Sequence, residues 1–279
     1  MWNCKDRKKN YIIQIEPINL QSNLTINLIT HYMKSFRNKI PACLVHFLTG
    51  SGIIFSFLAL ISVMEGNKSQ AFMFLGIALI IDIVDGTLAR KYNTEINFPN
   101  IDGKTLDTII DYINYIFIPC IMLYKFEYLP QSFTLIIPLI VLCISLYSYV
   151  NNKLIDKSFS YVGFPSIWNV VLLYLEILSF NQSINLLIIL SFIFLKFVPF
   201  KVFHPMRYNK FKKTNIALLF GTLFISSILL LNKLEFKLIN DAYSYFMVLW
   251  LILNCYFIVF VIYSNLYSFN SKNELKKNN

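Results

Sequence analysis

The stretch IDIVDGTLARKYNTEINFPNIDGKTLDTIIDY, residues 81–112, decides how the rest of the chain is read. It carries Asp82 and Asp85, three residues apart, and Asp107 and Asp111, four apart. On a helix either spacing puts the pair on one face. The segments around both pairs are apolar enough to lie in a membrane, where a carboxylate costs about 3 kcal/mol or more unless something meets its charge. No matching set of cations lies in the same segments, so the pattern points to a bound cation. Hard divalent ions, Mg²⁺ or Mn²⁺, take oxygen ligands of this kind.

Outward from that stretch the composition is that of an integral membrane protein. Of the 279 residues 56% are hydrophobic and only 14% charged, against about 25% charged in soluble domains. Windows of ~17–25 apolar residues predict eight spans near 42–64, 69–90, 105–126, 131–151, 165–181, 184–203, 214–232 and 242–266. The fold class is therefore all-α, a polytopic helical bundle. The fifth span is the weakest, being short and carrying Glu176. Prolines 119, 138 and 199 fall inside spans and need neighbouring helices to cover the freed backbone groups. The bundle is bounded as residues 41–268. A basic segment, 1–40, precedes it, reading either as an interfacial helix around Leu20–Phe36 or as an unstructured tail. A second basic tail, 269–279, follows. Five cysteines have no metal or redox spacing and read as apolar fillers. His31, His46 and His204 form no metal-binding motif.

The basic residues set the orientation. With an internal N-terminus, 21 of the 25 Lys and Arg residues fall in segments on the cytoplasmic side, leaving Lys68, Lys125, Lys233 and Lys237 outside. That bias places both termini in the cytoplasm. It also puts the four aspartates near the cytoplasmic ends of the second and third spans, within reach of a water-soluble headgroup. The net charge of +10 is accounted for by such loops and by anionic lipid, with no nucleic acid partner implied. A bacterial-type inner (plasma) membrane is the expected location.

Written as a pattern, the stretch is D-x2-D-G-x2-A-R-x12-G-x3-D-x3-D, with Asp82, Asp85, Gly86, Ala89, Arg90, Gly103, Asp107 and Asp111 at the fixed positions. It resembles the signature of the CDP-alcohol phosphotransferases, which move a phosphate-linked group from a CDP-activated donor to an alcohol and release CMP. The spacer departs from the usual family, with twelve residues from Lys91 to Asp102 instead of about eight. That longer spacer, with LVHFLTGSG (44–52), GFPSIWN (163–169) and FVPFKVFHPMR (197–207), resembles the phosphatidylcholine synthase branch. The resemblance runs from about Met33 onward.

The resemblance implies CDP-diacylglycerol as donor, choline as acceptor, surrounding membrane lipids as the medium, a homodimer, and no covalent enzyme intermediate. It implies two divalent ions held by Asp82, Asp85 and Asp107, with Asp111 close by as the general base for the attacking hydroxyl. Gly86, Ala89, Arg90 and Gly103 would take the nucleotide and phosphates, the small residues by letting it approach closely. For the quaternary ammonium of choline, aromatic faces are suited, and Tyr115, Tyr112, Trp168 and Tyr161 are the candidates. Tyr115 is preferred because it lies one turn from Asp111. Lys201, His204 and Arg207 are candidates for the donor's phosphates.

Plainer roles exist for several of these residues. Gly86 and Ala89 suit helix packing, Arg90 and the basic cluster suit the positive-inside bias, and interfacial Tyr and Trp are ordinary belt residues. Within the same chemistry the acceptor could be serine, inositol or glycerol phosphate. A cation-coupled transporter is a second class, but it leaves Gly86, Ala89 and Arg90 unexplained and usually shows internal repeats. A chain starting at Met33 retains Lys34, Arg37 and Lys39 and is expected to insert and work, which a membrane activity assay of that truncation checks.

Overall fold

A computed structural model describes residues 16–150, 160–203, 212–236 and 242–277. The long apolar runs form helices, because a helix pairs its own backbone groups where water is absent. α1 (Glu16–Met64) and α2 (Lys68–Tyr92) pack along each other through a three-residue turn. A short α3 (Thr94–Asn97) leads to α4 (Gly103–Tyr112), a π-helical turn (Ile113–Phe117) and α5 (Ile118–Lys125). Then follow α6 (Ile136–Val150), α7 (Trp168–Leu178), α8 (Gln182–Leu195), α9 (Lys212–Leu231) and α10 (Tyr243–Lys277). The largest core cluster includes Ala59, Val63, Leu75, Ile116, Met122 and Leu172.

The all-α membrane class holds. Among the described residues six helices are long and apolar enough to cross a membrane: Lys39–Met64, Lys68–Tyr92, Gly103–Lys125, Gln131–Val150, Lys213–Leu234 and Tyr243–Tyr263. The fifth and sixth expected spans are the shorter α7 and α8, of 11 and 14 residues. At 1.5 Å per residue these are roughly 16 and 21 Å long, short of a ~30 Å hydrocarbon core. The expected sixth span, 184–203, ends early. Its last eight residues leave the helix before Pro199, which has no N–H to continue it, and Lys201–Phe203 (β2) pairs antiparallel with Ser160–Val162 (β1). At the N-terminus α1 is helical from Glu16 through Pro41 without a break. At the other end α10 continues past the expected boundary near 266 to Lys277.

Two local features shape the interior. The π-helical turn sits just before Pro119, whose ring would collide with the carbonyl four residues back in a regular helix. Ser56 of α1 donates to Asn114 Oδ1 in that turn at 2.7 Å, pinning it to the bundle. At the opposite end, Glu176 near the tip of the α7–α8 hairpin accepts from Tyr128 at 2.5 Å and pairs with Lys68 at 3.0 Å and Lys233 at 3.3 Å. Gln182 reaches the Glu127 carbonyl at 3.0 Å. The acid that weakened the fifth span in the sequence is thus the anion that gathers two of the four lysines assigned outside.

Glu176→Gln keeps the volume of the side chain and leaves two ammonium groups without their anion. The expected cost is about 2–4 kcal/mol, between an exposed and a buried pair. Lys68→Met or Lys233→Met should each cost less, since the other lysine remains; thermal unfolding in detergent micelles measures the order.

Candidate active site

The last turns of α2 and one face of α4 line a cavity of about 1460 Å³. The apolar face of each helix packs on the bundle, and the i, i+3 and i, i+4 acids fall on the remaining face. Asp82, Asp107 and Asp111 converge there, each offering an oxygen within 4.8 Å of the others. Asp85 also lines the cavity, beside Thr49 of α1. It is 3% exposed, and its Oδ1 has no hydrogen-bond partner. A buried carboxylate oxygen without a donor is costly, and three more carboxylates nearby compound the cost. The donor set is all oxygen and negatively charged, so these residues fit one or more hard divalent cations.

Tyr115 donates from its hydroxyl to Asp82 Oδ2 at 2.5 Å, holding that carboxylate in one orientation. The residue is 7% exposed and lies in the π-helical turn, so its register to Asp111 is not that of a regular helix. Gly86, Ala89, Arg90 and Gly103 all line the cavity, and Arg90 Nη2 donates to Thr87 at 3.3 Å. The exposed Asp102 caps α4, accepting from Lys104 N and Thr105 N at 3.1 Å each. The Thr105 hydroxyl and amide hold the Asp102 carboxyl below the usual carboxylate range. The first amides of α4 are therefore already satisfied.

The remaining candidates divide. Of the aromatic residues named for choline, Tyr115 lines the cavity, and Tyr149 does so as well. Tyr112 is turned away, its hydroxyl on the Leu142 carbonyl at 3.3 Å and its ring on the edge of Tyr149 at 5.7 Å. Trp168 is 3% exposed in the core, donates to Ser145 at 3.0 Å and packs on Phe164 at 5.2 Å. Lys201 is docked on α10, its backbone N–H donating to Asn265 at 2.8 Å, and its neighbour Val202 reaches the cavity instead. The side chain of Tyr161 and residues His204 and Arg207 lie outside the described residues.

Three cavity residues carried no signal of their own in the sequence. Thr49 and His46 come from α1, on the segment LVHFLTGSG. Lys196, at the end of α8, donates to the Phe164 carbonyl at 2.5 Å and to Ser166 at 2.6 Å. It secures the GFPSIWN segment, where Gly163 adopts a φ of +79° and a Cβ would lie 2.5 Å from the Lys196 carbonyl oxygen. That explains the glycine by close backbone approach.

The family model for CDP-alcohol phosphatidyltransferase matches residues 42–260. Among curated relatives, phosphatidylcholine synthase of Pseudomonas aeruginosa is 37% identical over 196 residues, 70% of this chain and 82% of the relative. Phosphatidylcholine synthase of Borreliella burgdorferi is 36% identical over 181 residues, covering 65% and 77%. The enzyme of the same name from Agrobacterium fabrum is 29% identical over 188 residues, covering 67% and 78%.

Tyr115→Phe removes only the hydroxyl that orients Asp82. It is expected to weaken Mn²⁺ binding about 10-fold, as loss of a ligand-orienting partner does. Titration of the purified variant with Mn²⁺, read by the electron spin resonance of the free ion, checks this.

Proposed function

This chain belongs to the CDP-alcohol phosphatidyltransferase family, and on that premise we propose that it is a phosphatidylcholine synthase. It transfers the phosphatidyl group of CDP-diacylglycerol to the hydroxyl of choline and releases CMP. The observation that carries this reading is the convergence of Asp82, Asp107 and Asp111 within 4.8 Å in a cavity at one end of membrane-spanning helices. An anionic diphosphate cannot approach such a cluster unless cations accompany it. The names of the relatives support choline as the acceptor.

Asp82, Asp85 and Asp107 hold two divalent ions, Mn²⁺ or Mg²⁺, in this reading. Such ions, when bound, supply positive charge to a diphosphate and its leaving group. Arg90 adds a fixed cation beside the phosphates, Gly86 and Ala89 keep the wall open to the nucleotide, and Gly103 leaves room for the His46 ring next to it. Asp111 takes the proton of the choline hydroxyl. The choline oxygen forms a bond to the phosphorus of the phosphatidyl group, and the bond from that phosphorus to the oxygen bridging to CMP breaks in line. CMP carries away the electron pair. The rings of Tyr115 and Tyr149 offer faces to the trimethylammonium group, which the acids also attract.

The bias of 21 basic residues against 4 supports an inner-membrane protein with both termini and the site on the cytoplasmic side. The working form is a homodimer in this proposal.

Purified protein supplied with CDP-diacylglycerol and Mn²⁺ should release CMP only when choline is added. Asp111→Asn should lower turnover by roughly 10²–10⁴-fold, the range for loss of a general base, while Mn²⁺ binding largely persists. CMP release with serine, inositol or glycerol phosphate but not choline would move the acceptor. Cation-driven uptake into vesicles without CMP release would remove the transferase reading.

A further inference from the structure

We infer that His46 is a contact for the nucleotide half of the donor, and that position 103 is glycine because the His46 imidazole fills the space of a side chain there. This deepens the transferase reading above and rests on it.

His46 is 6% exposed, lines the cavity, and its Nε2 is buried without a hydrogen-bond partner. A histidine kept only for packing would leave that nitrogen unsatisfied to no purpose. Its ring lies 6.0 Å from that of Phe98, which limits where the imidazole can turn. A Cβ on Gly103 would stand 2.6 Å from His46 Cε1 and 3.0 Å from Nδ1, and the three atoms nearest to it all belong to this imidazole. Gly103 has no positive φ, so backbone conformation does not call for glycine. The imidazole does.

The position of His46 along the bundle selects the ligand. Gly103 precedes Asp107 by one helical turn, about 6 Å along the axis, on the side away from the membrane interior. Whatever reaches Nε2 lies farther out than the diphosphate held at the acids. The diacylglycerol half must stay in hydrocarbon, so the outward half is the nucleotide. The imidazole can present a donor or an acceptor at Nε2, suited to the polar edge of a pyrimidine base or a ribose hydroxyl. The acid cluster that gathers within 4.8 Å does not include His46, which argues against a role as a metal ligand. The twelve-residue spacer takes part as well: it folds as α3, supplies Thr94, Glu95 and Ile96 to the cavity wall, and brings Phe98 onto the imidazole.

The test is CMP binding to the purified full chain in detergent with Mn²⁺, by calorimetry, for wild type, His46→Ala, His46→Gln, Gly103→Ala and the double variant His46→Ala/Gly103→Ala. His46→Ala should weaken CMP about 5–10-fold, the loss of one hydrogen bond, with the choline KM nearly unchanged. His46→Gln should recover part of the affinity. Gly103→Ala should weaken CMP on its own but add less than about 2-fold once His46 is alanine, because coupled residues are non-additive. If Gly103→Ala does not fold while the double variant does, the steric link between the two positions stands. Equal losses for Gly103→Ala in both backgrounds would put the nucleotide, not His46, against Gly103 and overturn the inference. So would unchanged CMP affinity in His46→Ala with a lowered unfolding temperature, the mark of a packing residue. A wild-type chain that releases CMP in the assay above but shows these outcomes leaves the transferase reading intact. One that neither binds nor releases CMP overturns both.

Discussion

A carboxylate within a membrane-spanning helix persists only where a hydrogen bond, water or a cation meets its charge. Four of them lie together at one end of this bundle, and much of the structure answers to that concentration. Tyr115 donates to Asp82 from inside the core, Thr49 sits beside Asp85, and the cavity opens the face of α4 that bears Asp107 and Asp111. The buried and unpartnered Oδ1 of Asp85 marks what the protein alone leaves unmet.

The opposite end deals with the same problem in a closed form. Glu176 is buried to a similar degree, yet it has Lys68, Lys233 and Tyr128 around it. The Lys68 ammonium also sits over the Phe126 and Tyr128 rings, 5.4 and 5.0 Å from their centroids. Glu176 is met by two cations of the protein and holds helices together, whereas Asp85 keeps a buried oxygen with no donor, open to a ligand. The contrast separates a structural carboxylate from functional ones by neighbours, which residue type alone cannot do.

Between the two ends the π-helical turn at Ile113–Phe117 reconciles competing demands. Pro119 prevents a regular helix from continuing through that point, and the wider turn lets Tyr115 face Asp82 while Asn114 meets Ser56. The long spacer after Arg90 likewise becomes wall, with α3 and Phe98 laid against α1.

The sequence by itself determined the all-α membrane class, the places of the apolar segments and the acid pairs at one-turn spacing. All of these are written in local periodicity and composition, which a helix preserves as it forms. The signature from Asp82 to Asp111 was legible for the same reason, since its acids fall as two pairs, each within one helix, α2 and α4. Only the tertiary structure decided that α7 and α8 are short helices of a hairpin, because the residues before α7 and after α8 pair with each other as β1 and β2 instead of extending the helices. It alone joined Tyr115 to Asp82, Glu176 to Lys68 and Lys233, and His46 to Gly103. Those partners stand tens of residues apart or more, so no window along the chain contains both. What brings them together is the packing of one helix on another, which sets distances that local sequence leaves open.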